Sequence, residues 1–284
     1  MNTKGVTSDG STYVIMEAGS CGEGKLGMML TQIHDGAAAG VDAVKFQWTS
    51  NAEQMASLRQ ADADGYASIY KRYLQWPRKW HDRLATECAA CGVDYLCSVY
   101  LSRDVRVVAD VVAHFKVASF ECMDRLFVQA HVPFVSRGRR VFISTGMAST
   151  GDVDVLYREQ LRDFPRGSFG LLHCVSSYPT VLDDMNLRVI RRRHYVGFSD
   201  HTNPTLTMTG AMAVAAGAQV VEAHARSLGT SLSNPDYVHA MQPSQFRDYV
   251  RQIRVVDRAM GAEIKTPVPS EKLMSAYRRR RGWA

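Results

Sequence analysis

Two histidines set the chemistry of this chain. His201 stands in Gly197-Phe198-Ser199-Asp200-His201-Thr202, and His224 in Glu222-Ala223-His224. Each ends a short apolar run, 195–198 and 218–221, and the residues between them read as a helix over about 204–216. Imidazoles delivered at the same end of adjacent parallel strands can converge on one metal ion. Two imidazoles leave coordination positions open, which suits Lewis-acid catalysis better than a closed structural zinc site.

Other polar residues collect at the ends of similar apolar runs: Glu17, Lys45, Gln47, Ser98, Lys116, Ser119, Glu121, Ser144, Ser176, Tyr178, Ser199 and Glu222. A lysine in a strand tip is costly to bury unless it meets an anion. Two such lysines among several serines describe a site for a phosphate and a carboxylate. The simpler alternative is that one lysine pairs with a carboxylate such as Glu17. His173, followed by Cys174, is expected to support the structure rather than bind metal.

The elements that must position these groups alternate in type. Strands are expected at 13–17, 43–47, 95–99, 115–118, 141–144, 170–174, 196–199 and 220–223. Leu26, Met29, Leu30, Ile33 and Ala37 repeat with helical periodicity, and Gly40 closes that helix. A last long helix carries Phe246, Tyr249, Val250, Ile253 and Met260. Alternating strands and helices mean parallel strands with helical crossovers. Eight such units predict an α/β fold, a single (β/α)8 TIM barrel over 13–265. A polar N-terminal extension (1–12) precedes it and a basic tail (266–284) follows. An open doubly wound sheet is the alternative, but Lys45 stands where its acidic ribose-binding residue would be.

Composition narrows the class. The chain has 284 residues, 46% of them hydrophobic, ample for a buried core. No apolar run is long enough for a membrane span, and residues 1–12 lack a signal-peptide layout, so a cytoplasmic protein is expected. The net charge of +6 is concentrated in Arg191-Arg192-Arg193 and Arg278–Arg281, without the aromatic interleaving of a nucleic-acid surface. Six scattered cysteines, including Cys88-Ala-Ala-Cys91 late in a helix, read as reduced thiols.

Taken together, Glu17-x-Gly19, Ala43-Val-Lys-Phe-Gln47, Lys116-Val-Ala-Ser-Phe-Glu121, Ser144-Thr-Gly-Met147, His173-Cys-Val-Ser-Ser-Tyr-Pro-Thr180 and Gly197-Phe-Ser-Asp-His-Thr202 resemble the sialic acid synthase family, which includes N-acetylneuraminate, legionaminate and pseudaminate synthases. The resemblance runs in order over about 13–260. It implies a (β/α)8 barrel that condenses phosphoenolpyruvate with an amino-sugar aldehyde, using Mn2+ or Mg2+. It implies that His201 and His224 hold the metal and that Lys45, Lys116, Ser119, Ser144 and Ser199 hold phosphoenolpyruvate. It places Glu17, Gln47, Tyr178 and Asp236 toward the sugar, with Ser176 where Asn is usual. It also admits a homodimer.

Four departures bear on the acceptor. The family's Asn-His after the first strand is Cys21-Gly22, and its Ser-Thr-Pro-Phe reads Ser98-Val99-Tyr100-Leu101. The aromatic residue after the second histidine is Ala225, followed by Arg226, which suggests an anionic or differently decorated acceptor. The usual C-terminal antifreeze-like domain is not expected within this chain. Retained chemistry with a changed acceptor is the expectation. Two readings stand beside it: a pyruvate-dependent aldolase or lyase, and a catalytically impaired sugar-binding homologue.

Overall fold

The computed structural model describes residues 7, 10–60, 65–136, 138–192, 194–261, 264–275 and 277. Most of the expected N-terminal extension, Arg193, and Arg278–Arg281 of the basic tail lie outside the described residues.

Eight parallel strands close into a barrel in the order of the chain, β1 pairing with both β2 and β8. They are β1 (Tyr13–Gly19), β2 (Ala43–Trp48), β3 (Asp94–Val99), β4 (Phe115–Val117), β5 (Val141–Ser144), β6 (Phe169–His173), β7 (Tyr195–Asp200) and β8 (Val220–His224). The helices in chain order are α1 (Leu26–Ala39), α2 (Ala52–Leu58), α3 (Tyr66–Tyr73), α4 (Trp80–Ala90), α5 (Ser102–Val108), α6 (Arg125–Gln129), α7 (Thr150–Val155), α8 (Thr209–Ala215) and α9 (Pro243–Met260). None of the described helices is long and apolar enough to cross a membrane.

Strands buried on both faces read as near-continuous apolar runs, yet the two-residue period still sorts their side chains. Val14, Met16 and Ala18 face outward into the layer shared with the helices, together with Val44, Phe46, Cys97 and Val99. Tyr13, Ile15, Ala43, Leu96, Phe142, Leu172 and Val220 fill the barrel interior. Two residues further along five of these six strands, the inward position becomes polar: Glu17, Lys45, Ser98, Ser144 and Glu222. Strand register then sets them side by side, with Glu17 opposite Lys45, Ser98 opposite Lys116, and Ser199 opposite Glu222. An apolar plug below and a polar storey above thus come from one alternation.

The connections close as the sequence predicts. Gly40 ends α1 at φ 83°, a left-handed conformation open to glycine at no steric cost. Between β7 and β8 the helix is shorter than expected, beginning only at Thr209. The Asn203 side chain accepts from the Thr205 amide (3.0 Å), holding the Asn-Pro segment as a turn. In α9 the Phe246, Tyr249, Val250 and Ile253 stripe is buried, and Tyr249 donates to Asp200 (2.9 Å). Asp200 also accepts from the Thr209 hydroxyl and the Thr202 amide (2.9 Å). It therefore braces the turn that carries His201 and does not line the barrel mouth.

Candidate active site

The C-terminal strand ends enclose a cavity of about 450 Å³. Of the residues singled out above, Glu17, Lys45, Gln47, Ser98, Lys116, Ser119, Ser144, Tyr178, Ser199, His201, Glu222, His224 and Asp236 line it.

Its floor is a buried quartet of two ammoniums and two carboxylates. Lys45 pairs with Glu17, donates to Ser98 Oγ (3.0 Å) and lies 3.5 Å from Glu222 Oε2. Lys116 donates to Ser144 Oγ (2.8 Å) and the Val117 carbonyl (3.2 Å), and lies 3.5 Å from Glu222 Oε1. The Ser199 hydroxyl donates to Glu222 Oε1 (2.9 Å). Burial pushes the Lys45 ammonium down to about 8 against the pull of Glu222. Burial alone would raise Glu222, but Lys116, Lys45 and the Ser199 hydroxyl outweigh it and hold the carboxyl at about 2. The lysines thus pair with carboxylates, and they do so beside serine hydroxyls.

One wall carries imidazoles. His201 Nδ1 lies 2.8 Å from the Val175 carbonyl, which fixes the proton on Nδ1 and leaves the Nε2 lone pair free, 3.4 Å from Ser199 Oγ. Burial pushes His201 down to about 4 and His224 well below the usual range, so both rings are neutral at pH 7 and fit to bind metal. Their centroids are 5.5 Å apart. His239, which the sequence reading missed, stands 4.6 Å from His224 by the same measure. Asp236 lies between these last two, 3.8 Å from His224 Nδ1 and 3.8 Å from His239 Nε2, and accepts from the Ser20 amide (2.8 Å). Gly19, at φ 52°, leaves room for that carboxylate, which any Cβ there would strike. His224 Nδ1 and both nitrogens of His239 are buried without hydrogen-bond partners. Neutral imidazoles with unused lone pairs beside a carboxylate are a donor set that fits a divalent metal.

The opposite wall is aromatic. Tyr100 donates to Gln47 Oε1 (2.6 Å), and Tyr66, Tyr70, Tyr73 and Phe120 continue the surface. Arg59 lies against the Tyr70, Tyr100 and Phe120 rings and bonds to Glu121 through Nε (2.7 Å).

Some expectations are corrected here. Glu121 is spent on Arg59 and does not line the cavity. Ser176 donates to Ser119 Oγ (2.9 Å) from behind the wall. Arg226 is turned away: its backbone pairs with Met241 (2.8 Å) and its guanidinium stacks 4.0 Å over the Tyr237 ring. It therefore gives no support to an anionic acceptor. Val99 points outward into the helix-facing core, so threonine's absence there removes nothing from the cavity, and Tyr100 supplies the inward group. Glu222, read from the sequence as a strand-end residue without a stated role, joins the floor of the cavity. Of the residues missed, His239 offered only its spacing from Asp236, and Arg59 offered no signal.

The NeuB family model matches residues 32–265 of this chain. An uncharacterized protein of Methanocaldococcus jannaschii is 30% identical over 92% of this chain and 75% of its own length. The N,N'-diacetyllegionaminic acid synthase of Campylobacter jejuni is 26% identical over 92% of this chain and 81% of its own length. The fold matches that of N-acetylneuraminic acid synthetase from Leptospira borgpetersenii, with TM-score 0.83 and 24% identity over 95% of this chain and 92% of that one.

Proposed function

The chain belongs to the NeuB family, and we propose that it is a sugar acid synthase that condenses phosphoenolpyruvate with an aldose or amino-sugar aldehyde. One observation carries the reading. A single cavity joins a lysine–serine floor suited to phosphate and carboxylate with a wall of neutral imidazoles suited to a divalent metal, Mn2+ or Mg2+.

Lys116 with Ser144, and Lys45 with Ser98, orient the donor's anionic groups by charge-assisted hydrogen bonds. These bonds also favour the charge that builds on phosphate as it leaves. The enol carbon of the donor forms a bond to the aldehyde carbon. Water then adds at C2 of the donor, one of its protons ending on the alkoxide formed from the aldehyde oxygen, and the bond from C2 to the phosphate oxygen breaks as the other proton leaves with the phosphate. The products are a 2-keto-3-deoxy sugar acid and inorganic phosphate. Glu17, beside the donor, is placed to take the proton that water gives up. Gln47, held by Tyr100, and Tyr178 offer hydrogen bonds toward the acceptor's hydroxyls. A metal held by His201 and His224 would polarise the aldehyde oxygen.

The test is phosphate release from phosphoenolpyruvate with Mn2+ and a panel of aldoses, N-acylhexosamines and their phosphates. Acceptor-dependent release is expected. Acceptor-dependent consumption of pyruvate, with phosphoenolpyruvate left intact, would instead establish the lyase reading.

A further inference from the structure

The two-histidine pattern leaves His239 unexplained. Its ring is buried, 4% exposed, and neither nitrogen has a hydrogen-bond partner. A neutral imidazole normally satisfies at least one nitrogen when buried, because an orphaned polar group costs about 1–3 kcal/mol. The contrast within this protein is direct. His201, His173 and His81 each satisfy one nitrogen, through the Val175 carbonyl (2.8 Å), the Met185 carbonyl (2.7 Å) and the Tyr95 hydroxyl (2.7 Å). His239 instead turns toward His224 and Asp236. One nitrogen from each histidine and one Asp236 oxygen all lie within 4.8 Å of one another, and His201 is not part of that group. Donors each about 2.1 Å from one ion stand no more than about 4.2 Å apart, so this group needs only a small inward shift of its side chains to close on an ion.

We propose that His239 is a direct ligand of the divalent metal alongside the strand histidines His201 and His224, with Asp236 as the carboxylate donor. This rests on the metal-dependent reading above and extends it to residues beyond the two strand histidines. The set has a chemical consequence. Mg2+ favours oxygen donors and retained waters, whereas imidazoles favour later first-row ions such as Co2+ and Zn2+. The wild-type protein should therefore bind those ions in marked preference to Mg2+. Asp236, as a ligand, is then a positioning group for the metal and leaves proton transfer to Glu17.

The test uses metal-free full-length protein titrated with Mn2+ and Co2+, without substrates, so that it reads ligation independently of the reaction. His239→Gln should weaken affinity by more than the 10–100-fold typical of an outer-shell partner. His239→Cys should restore tight Co2+ and Zn2+ binding and give the Co2+ form a thiolate-to-metal charge-transfer band absent from wild type. That band arises only if position 239 touches the ion, and it remains readable if the glutamine variant fails to fold. Wild-type affinity in His239→Gln, or no such band in His239→Cys, overturns the ligand assignment while leaving the proposed reaction intact. A wild-type protein that binds no divalent ion overturns both.

Discussion

Lys116→Met tests the floor of the site most directly. The ammonium is 2% exposed and bonds to Ser144 and the Val117 carbonyl, with Glu222 3.5 Å away. Removing it leaves the buried Glu222 carboxylate dependent on Lys45 and Ser199. Deleting one partner of a buried ion pair costs about 3–5 kcal/mol. At about 2–4 °C per kcal/mol for a chain of this size, the melting temperature should drop by roughly 6–20 °C. Donor affinity should fall separately, because one charge-assisted hydrogen bond, worth about 1.5–3 kcal/mol, is gone. That is roughly 10- to 150-fold in Kd. The double variant Lys116→Met/Glu222→Gln separates the two effects. It removes one charge of each sign, so most of the stability should return, whereas the affinity for phosphoenolpyruvate should not. Calorimetric titration and thermal melts of the three proteins suffice. A single variant that binds phosphoenolpyruvate like wild type refutes the assignment of Lys116 to the donor. A double variant that regains affinity shows that Glu222, rather than the ammonium, was what mattered.

Further outcomes follow from the same geometry. His201→Ala should abolish metal-dependent turnover, and full activity with full metal occupancy would sink its place at the metal. Lys45 titrates near 8, so donor affinity should fall about tenfold per pH unit above that value; a KM for phosphoenolpyruvate that stays flat to pH 9.5 contradicts this. Burial holds His81 and His131 near 4, below the 6.5 of an exposed imidazole. The unfolded chain then binds more protons between those values, and stability should decline as pH drops from about 6.5 to 4. Acid melts of His81→Asn and His131→Asn should show a shallower slope than wild type, and an unchanged slope excludes these rings as its source.

The barrel was legible because its strands carry their instructions locally. Val14, Met16 and Ala18 alternate with Tyr13, Ile15 and Glu17, so the same residues that define β1 also say which of them face inward. Lys45, Ser98 and Ser144 follow by the same count of two from the interior residues Ala43, Leu96 and Phe142. That logic stops where the strand does. Arg226 lies just past β8, and its direction is decided by a backbone pairing with Met241 and a stack on Tyr237. Arg59 reaches the cavity from the end of α2 by way of three aromatic rings and Glu121, contacts between segments far apart in sequence. Val99 shows the opposite error, in which matching a motif position hid the parity that sends the side chain outward.

The Lys45–Glu17–Glu222–Lys116 quartet has an effect beyond its proposed role as the donor site. Its formal charges sum to zero, so the cavity comes with its own counter-ions and needs none from solution to keep both lysines charged. A donor with several negative charges enters a place where two carboxylates already hold the ammoniums. It can settle only as those carboxylates lose charge or partners, and in a floor this dry neutralisation by a proton is the cheaper course. Donor capture then becomes proton capture. The heat of binding should change with the ionisation enthalpy of the buffer, and the enzyme's grip on its donor would answer to the acidity of its surroundings before any bond is made.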